Sequence, residues 1–554
     1  MHGRVRVRTT AEQEKLKQIE RGKKLAKYKA GIALIFQKRK NQEWDNELLS
    51  VTELMLLQNP DIYTLWNIRR EFYEHKEWEK EEYETALENE LSLTERCLRE
   101  NPKSYSVWHQ RSFVINLMEN PDYKKELALC AKCLNLDERN FHCWDYRKFI
   151  VESSNVSDEE EFKFSESKVL NNISNYSSWH YRSKLLSKMF PSNTKDIPIT
   201  EDKHKEELEL VMNATFTDPN DTSAWFYQRW LLDNNETQLK NIWRAKLVND
   251  LITVVFDSEI KNEDDLHLIY LTVDRNKVEI SWVVEKCKLY IKILVGKLPI
   301  LNVLSSAKEV ALIYKDKEHK LNYSTKTNQW VYKTDYNLSN SEYNKDTLIE
   351  QLENYKQLAE MEPNNKWAIL TKILLMRKID FIKFYEIILR ALDSLSKIDA
   401  LRCNYYKDLR SKYVIQYVLH NIWKMENDNE MKLIIDLSNL NLTMLSNHHY
   451  FTFFEQVNLG SNYLNNSLHL LSAFKQCKIL DLSNNELKSI KSFPVLSKLR
   501  KLSLKDNKLT DVEEVVNLIK RHNLTELDLR NNPMYLENDL KDQIFQVSPD
   551  CILI

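Results

Sequence analysis

The sequence predicts a mostly α fold: an array of antiparallel helix pairs, an α-α superhelix, interrupted by a β-sandwich and followed by leucine-rich repeats. Three observations predict it. A Trp followed by an Arg recurs at Trp66/Arg69, Trp108/Arg111, Trp144/Arg147 and Trp179/Arg182, and at Trp225/Arg229 with one extra residue between. Between the fifth phrase and a later, degenerate one lie β-branched and aromatic runs that alternate with polar residues. After residue 433 a Leu-x-Leu phrase with a following Asn repeats to the end of the sequence.

The Trp residues stand 42, 36, 35 and 46 positions apart, a period at which each unit is one helix pair stacked on its neighbours. Each phrase opens the second helix of its pair. Asn59-Pro60, Asn101-Pro102 and Asp218-Pro219 supply the break and preset φ that start it. In the second unit, 3.6-residue spacing puts Val107, Arg111, Val114, Ile115 and Met118 beside a face carrying Tyr105, Trp108 and Ser112. An Arg one turn after a buried Trp can stack on the ring and spread its donors over loop carbonyls of the adjoining unit, so the pair reads as a repeat signature before it reads as a ligand site. Ahead of the array, Thr9 and Glu12 form a capping box for a long charged helix. The acidic run Asp158–Glu161 after Ser157 reads as a capped, solvated first turn.

The runs Leu266–Val273, Lys277–Val284, Lys288–Val295, Val310–Tyr314 and Asn328–Lys333 predict a two-sheet sandwich of about a hundred residues. Helical spacing then returns, with Leu352, Tyr355, Leu358 and Met361 on one side and Trp367 opening a sixth unit without its Arg. Ile435-x-Leu437, Val457-x-Leu459, Leu480-x-Leu482, Leu502-x-Leu504 and Leu527-x-Leu529 mark repeats of 22, 23, 22 and 25 residues. In four of them an Asn follows (Asn462, Asn485, Asn507, Asn532), and its amide is expected to satisfy backbone groups at the turn. The expected divisions are residues 1–240 for helical repeats, 241–342 for an immunoglobulin-like sandwich, 343–428 for helical repeats resumed and 429–554 for leucine-rich repeats.

Composition excludes several function classes. Lys plus Arg number 80 against 82 Asp plus Glu, so no overall field argues for nucleic acid or an anionic membrane. Only 5 Gly occur, none in a phosphate-cradling or dinucleotide context, which argues against a nucleotide enzyme. The most apolar run, Leu289–Leu304, is broken by Lys292, Lys297 and Pro299 and cannot span a bilayer. Eight Cys without a secretory leader read as reduced thiols of a cytoplasmic protein. Cys130, Cys133, His142 and Cys143 could be imagined as a zinc set, but Leu127, Cys130 and Leu134 share one helical face, which favours a core role for the thiols.

The Asn-Pro-x-x-Tyr-x-x-Trp-x-x-Arg phrase, repeated five times over residues 50 to 235, resembles the repeat of protein prenyltransferase alpha subunits, whose helix pairs form a crescent around a beta subunit. An inserted sandwich followed by leucine-rich repeats is similar, within that family, to the Rab geranylgeranyltransferase class. The resemblance implies transfer of a geranylgeranyl group from geranylgeranyl diphosphate to C-terminal cysteines of Rab GTPases presented by a Rab escort protein. It also implies a heterodimer whose zinc and lipid funnel belong to the beta subunit. The rival readings are a non-catalytic adaptor built of tetratricopeptide-like and leucine-rich repeats, and the alpha chain of another prenyltransferase.

Five residues before each Trp stand Asp61, Lys103, Arg139, Ser174 and Asn220. A cation in the first turn of a helix, where the macrodipole favours an anion, suggests a phosphate nearby, and this singles out Lys103 directly after Pro102. The family's diphosphate-facing Lys sits in a Lys-x-Tyr-x-x-Trp phrase, which Lys103 to Trp108 fits. The resemblance therefore implies that Lys103 meets the diphosphate, with Tyr105 flanking the pocket and Arg139, followed by Phe141 where Tyr is expected, as second cation. His2, on a basic end, is a candidate to reach the partner's zinc.

Overall fold

A computed structural model describes residues 11–193, 197–232, 242–261, 266–283, 290–299, 307–325, 327–334, 345–424, 433–536 and 540–554. His2 and Thr9 lie outside them. Two compact units result, one of Met1–Pro191 with Asp221–Tyr227, the other of Ser192–Asn220 with Gln228–Ile554.

The first unit begins with α1 (Ala11–Lys40) and continues as α2 (Asn46–Gln58), α3 (Tyr63–His75), α4 (Lys80–Glu100), α5 (Tyr105–Leu117), α6 (Tyr123–Leu136), α7 (Phe141–Ser153), α8 (Asp158–Asn171) and α9 (Tyr176–Met189). The phrases with Trp66, Trp108, Trp144 and Trp179 open the second helices α3, α5, α7 and α9, as their period requires. The Pro residues do not start those helices. Asn59 and Asn101 end the preceding helix and fold back, their Oδ1 atoms accepting from the Asp61 and Lys103 amides at 3.2 and 3.1 Å. Pro60 and Pro102 then sit in the turn, and each carbonyl accepts the indole N–H six residues on, Trp66 and Trp108, at 2.9 Å. Trp144 and Trp179 bond Glu138 O and Ile173 O in the same way. The next unit uses the same carbonyls: Asn140 Nδ2 donates to Pro102 O at 2.9 Å and Asn175 Nδ2 to Glu138 O at 3.2 Å. One loop atom thus anchors its own Trp and the following cap, which fixes the stacking of successive pairs.

The arginines differ from expectation. The Arg69, Arg111 and Arg147 forks close on buried carboxylates of the next first helix, Glu90, Glu126 and Glu161. Their remaining donors reach carbonyls of Leu49, Leu91 and Leu127 on the first helix of their own pair. Arg147 stacks on Phe164 at 3.5 Å, and Arg182 on Phe162 at 4.1 Å, rather than on the phrase's own indole. Each carboxylate is held again by the residue between the next Trp and Arg: Gln110 to Glu90, Tyr146 to Glu126 and Tyr181 to Glu161. Ser157 does cap α8, but Glu161 in that acidic turn is buried rather than solvated, because it is one of these three.

In the second unit come α10 (Glu201–Thr217), the later part of α11 (Thr222–Leu232), then a nine-stranded antiparallel sheet of β1 (Ile242–Val248), β2 (Leu251–Lys261), β3 (Ile269–Val273), β4 (Asn276–Val278), β5 (Ser281–Val283), β6 (Tyr290–Lys297), β7 (Val310–Tyr314), β8 (Lys317–Ser324) and β9 (Gln329–Lys333). The order is β4-β3-β7-β8-β9-β1-β2-β6-β5. It curls over itself because β8 changes partner midway, pairing through Leu321 with β7 and from Asn322 with β9. Phe256 and Tyr314 then meet edge to face at 5.4 Å across the core. Tight turns at Asp274-Arg275 and Lys315-Asp316 take positive φ at both residues, the geometry that matches strand twist in two-residue hairpins. Strands β1, β2 and β8 carry no match among the expected runs; in β8 the charges of Lys317-Glu318-His319-Lys320 hide its alternation.

Helices α12 (Lys345–Met361), α13 (Lys366–Ile398) and α14 (Cys403–Lys424) follow. Leu352, Tyr355 and Leu358 are buried as expected, but Met361 is 63% exposed at the helix end. Trp367 opens α13, and Asn365 Nδ2 donates to Pro219 O at 2.7 Å, repeating the loop bond of the first unit. Helix α13 bends at Asp380, whose carboxylate recaps it through the Lys383 amide at 2.9 Å.

Six parallel strands finish the chain: β10 (Ile434–Asp436), β11 (Gln456–Asn458), β12 (Ile479–Asp481), β13 (Lys501–Ser503), β14 (Glu526–Asp528) and β15 (Ile552–Leu553), with α15 (Val512–Lys520) and α16 (Leu540–Val547) in the last turns. The Asn residues form a buried ladder. Asn485 Nδ2 donates to the carbonyls of Leu459 and Leu482 at 2.9 and 3.2 Å, while Asn507 Oδ1 accepts from the Asn485 and Leu487 amides at 3.0 Å.

Candidate functional site

The starts of the second helices line one edge of the first unit. Buried Trp and Arg side chains fix each helix from below, so the residues just before and at its first turn are left facing out. Tyr63, Tyr105, Phe141 and Tyr176, each three residues before its Trp, are all exposed. Consecutive repeats bring neighbours together: Tyr105 and Phe141 ring centroids are 5.9 Å apart.

Lys103 belongs to the loop and not to the first turn. Ser104 is the N-cap of α5, so Lys103 stands one residue outside, and its side chain is 65% exposed. Its Nζ lies 3.0 Å from Asp137 Oδ2, at the end of α6, and this bond to Lys103 is the main reason the Asp137 carboxyl is held below its usual range. Tyr105 is 70% exposed and packs edge-on against His142 at 4.1 Å. His142 was missed by sequence reasoning except as an imagined metal ligand. It is buried beside Phe141, and desolvation, opposed by Asp145 and assisted by Lys103, keeps its imidazole below the ordinary His range, hence neutral near pH 7. A signal existed: the position after the exposed aromatic is Ser106 and Ser177 in the flanking phrases and His only here. Arg139 lies at the equivalent place in the next repeat, and its Nη2 donates to Ser174 O at 2.8 Å, so part of its fork joins two loops.

The structure thus brings Lys103, Tyr105 and His142 together, with Arg139 one repeat along. The arrangement is a shelf: one exposed ammonium, an aromatic wall and a neutral ring donor or acceptor. Such a shelf can meet an anion from one side.

The imagined zinc set of Cys130, Cys133, His142 and Cys143 does not form. Among the described residues no group of three or more His, Cys, Asp or Glu side chains could hold a metal ion. The Cys143 thiol donates to Cys130 O at 3.5 Å, and its polar contact with Cys133 holds the Cys133 thiol below its usual range. The thiols of Cys130 and Cys143 are core groups, and His142 is turned to Tyr105.

Five segments, residues 45–76, 87–118, 123–154, 158–189 and 204–235, match the protein prenyltransferase alpha subunit repeat. The geranylgeranyl transferase type-2 subunit alpha of Bos taurus is 34% identical over 569 residues, covering 99% of both chains. The chain belongs to the type-2 geranylgeranyl transferase alpha-subunit family. The Homo sapiens member is likewise 34% identical with 99% of each chain covered. The Dictyostelium discoideum member is 34% identical over 287 residues, 90% of its own length and 51% of this chain. Membership of the geranylgeranyl transferase type-2 alpha-subunit family accounts for the repeat phrase. No helix of the described residues is long and apolar enough to cross a membrane.

Proposed function

We propose that this chain is the alpha subunit of a cytoplasmic Rab geranylgeranyltransferase. With a zinc-bearing beta subunit it transfers geranylgeranyl from geranylgeranyl diphosphate to C-terminal cysteines of Rab GTPases delivered by a Rab escort protein. The reading rests on full-length similarity to type-2 alpha subunits and, for chemistry, on one observation: Lys103 stands exposed in the loop ahead of α5 beside Tyr105, engaged among the described residues in a surface ion pair with Asp137.

Zinc, held by the partner, would lower the pKa of the Rab cysteine and hold it as the thiolate. As the bond from C1 to the diphosphate oxygen breaks, negative charge grows on the leaving diphosphate. Lys103 meets that charge with an ammonium already in place, an interaction stronger in the transition state than in the ground state. Leaving Asp137 costs little, because exposed pairs are worth about 1 kcal/mol or less. Tyr105 walls the shelf and offers its hydroxyl. His142, neutral, keeps Tyr105 in place, and Arg139 adds a second cation through the donors that Ser174 does not use.

The test is single-turnover prenyl transfer by Lys103→Ala co-purified with its beta subunit. A fall in rate of about tenfold to a hundredfold with intact heterodimer is expected. Unchanged single-turnover kinetics would refute the role. An adaptor would instead be stable and inactive with every beta subunit supplied.

A further inference from the structure

Far along the chain from Lys103, the second unit holds a cavity of about 700 Å3. One wall is the outer face of β1, β2, β5 and β6; the other is made by residues 448–449, 472–473, 475–476 and 497–498, just ahead of β11, β12 and β13. Alternation along β1 decides what the first wall shows. Ala245 and Leu247 point into the sheet's own core, so Lys246 and Val248 point out of it. Lys246 is only 6% exposed and forms no ion pair among the described residues. Glu455, the carboxylate that acts on it from a distance, is already bound to Lys478 at 2.6 Å. Burial pulls the Lys246 ammonium below its usual range, which is the mark of a cation lacking its counter-charge.

A second buried group shares the cavity. His449 is 3% exposed, and its Nε2 has no hydrogen-bond partner among the described residues. Buried polar atoms in native folds are nearly always satisfied, so an unsatisfied imidazole nitrogen and an ammonium without a counter-charge on one space point to an anionic ligand. The charge of the walls says which kind. Lys246, Lys292, Lys475 and Lys498 face two carboxylates, Asp250 and Glu259, and Asp250 is already near Lys297 at 3.4 Å. Apolar side chains stand between the cations: Val248, Leu251, Val283, Ile293 and Val295. A bare inorganic anion would leave these uncovered.

We propose that this cavity binds a phosphate monoester carrying an apolar group, its phosphoryl oxygens on Lys246, Lys498 and His449 Nε2 and its apolar part along Val248, Ile293 and Val295. The same chemistry is offered by a soluble organophosphate and by a phosphatidate headgroup with its first methylenes. The site is independent of the prenyl-transfer reading.

The experiment titrates phenyl phosphate into the full chain, co-purified with its beta subunit, by calorimetry, and separately sediments the protein with phosphatidylcholine vesicles with and without phosphatidic acid. Lys246→Met and Lys498→Gln are compared with wild type, and Lys103→Ala serves as a control for the other anion shelf. Binding of phenyl phosphate that weakens at least about tenfold in Lys246→Met and persists in Lys103→Ala supports a soluble ligand. Sedimentation with phosphatidic acid alone, lost in Lys246→Met, supports the lipid source. Lys246→Met should melt no lower than wild type, since it removes an unpaired buried charge, which separates lost binding from lost folding. Failure of wild type to bind either probe, or binding indifferent to both substitutions, overturns the proposal.

Discussion

Arg111 grips Glu126 with two parallel bonds, Nε to Oε2 at 2.6 Å and Nη2 to Oε1 at 2.7 Å, inside the first unit where neither side chain reaches water. Tyr146 adds a third bond to the same carboxylate at 2.8 Å. Breaking one side of such a pair strands the other charge. Glu126→Ala is expected to destabilise the chain by about 3–5 kcal/mol, whereas Arg111→Met with Glu126→Leu should recover much of the loss. Urea unfolding of the single and double variants measures both. Equal losses for the two would show that the pair, rather than the buried orphan, sets the energy.

The Asn ladder predicts a similar sensitivity at the other end of the chain. Asn485→Ala removes donors from the carbonyls of Leu459, Leu482 and Ser483, all inside the leucine-rich turns. Leaving those groups bare should cost about 2–4 kcal/mol, and hydrogen exchange of the β11 and β12 amides should speed up before those of the helices.

The largest contributions to acid sensitivity should come from His204 and His449 in the second unit. Burial lowers His204 from 6.5 to about 4 and His449 from 6.5 to about 2, so both stay neutral when folded while the unfolded chain takes up a proton from pH 6.5 downward. Their stabilising effect is complete above pH 6.5 and is lost as pH falls toward 4, at about 1.4 kcal/mol per group per pH unit. Urea midpoints at pH 7.5 and 5.5 should therefore differ, and the gap should narrow in His204→Gln. A midpoint independent of pH across that window would contradict the burial of both imidazoles.

How far the sequence reached depended on whether a signal was local. Trp66, Trp108, Trp144 and Trp179 gave the period because each bonds a carbonyl six residues back, within its own phrase. Asn462 to Asn532 were equally plain, since strand, turn and amide recur at one spacing. Glu90, Glu126 and Glu161 escaped notice because their arginines lie 14 to 21 residues away, a different offset each time, and a Glu on a charged helix looks solvated. Strand β8 was masked by surface charge. At the candidate shelf, Lys103 and Tyr105 could be picked from their phrase, but Asp137 and His142 come from the next repeat and only stacking brings them near.

The bond from Asn365 to Pro219 crosses 146 residues of chain, yet it is the same contact that elsewhere joins positions fewer than forty apart. Whatever was spliced between Leu232 and Lys345 left that clasp in register. The clasp is thus set by the helix pairs that it joins and not by the length of chain between them.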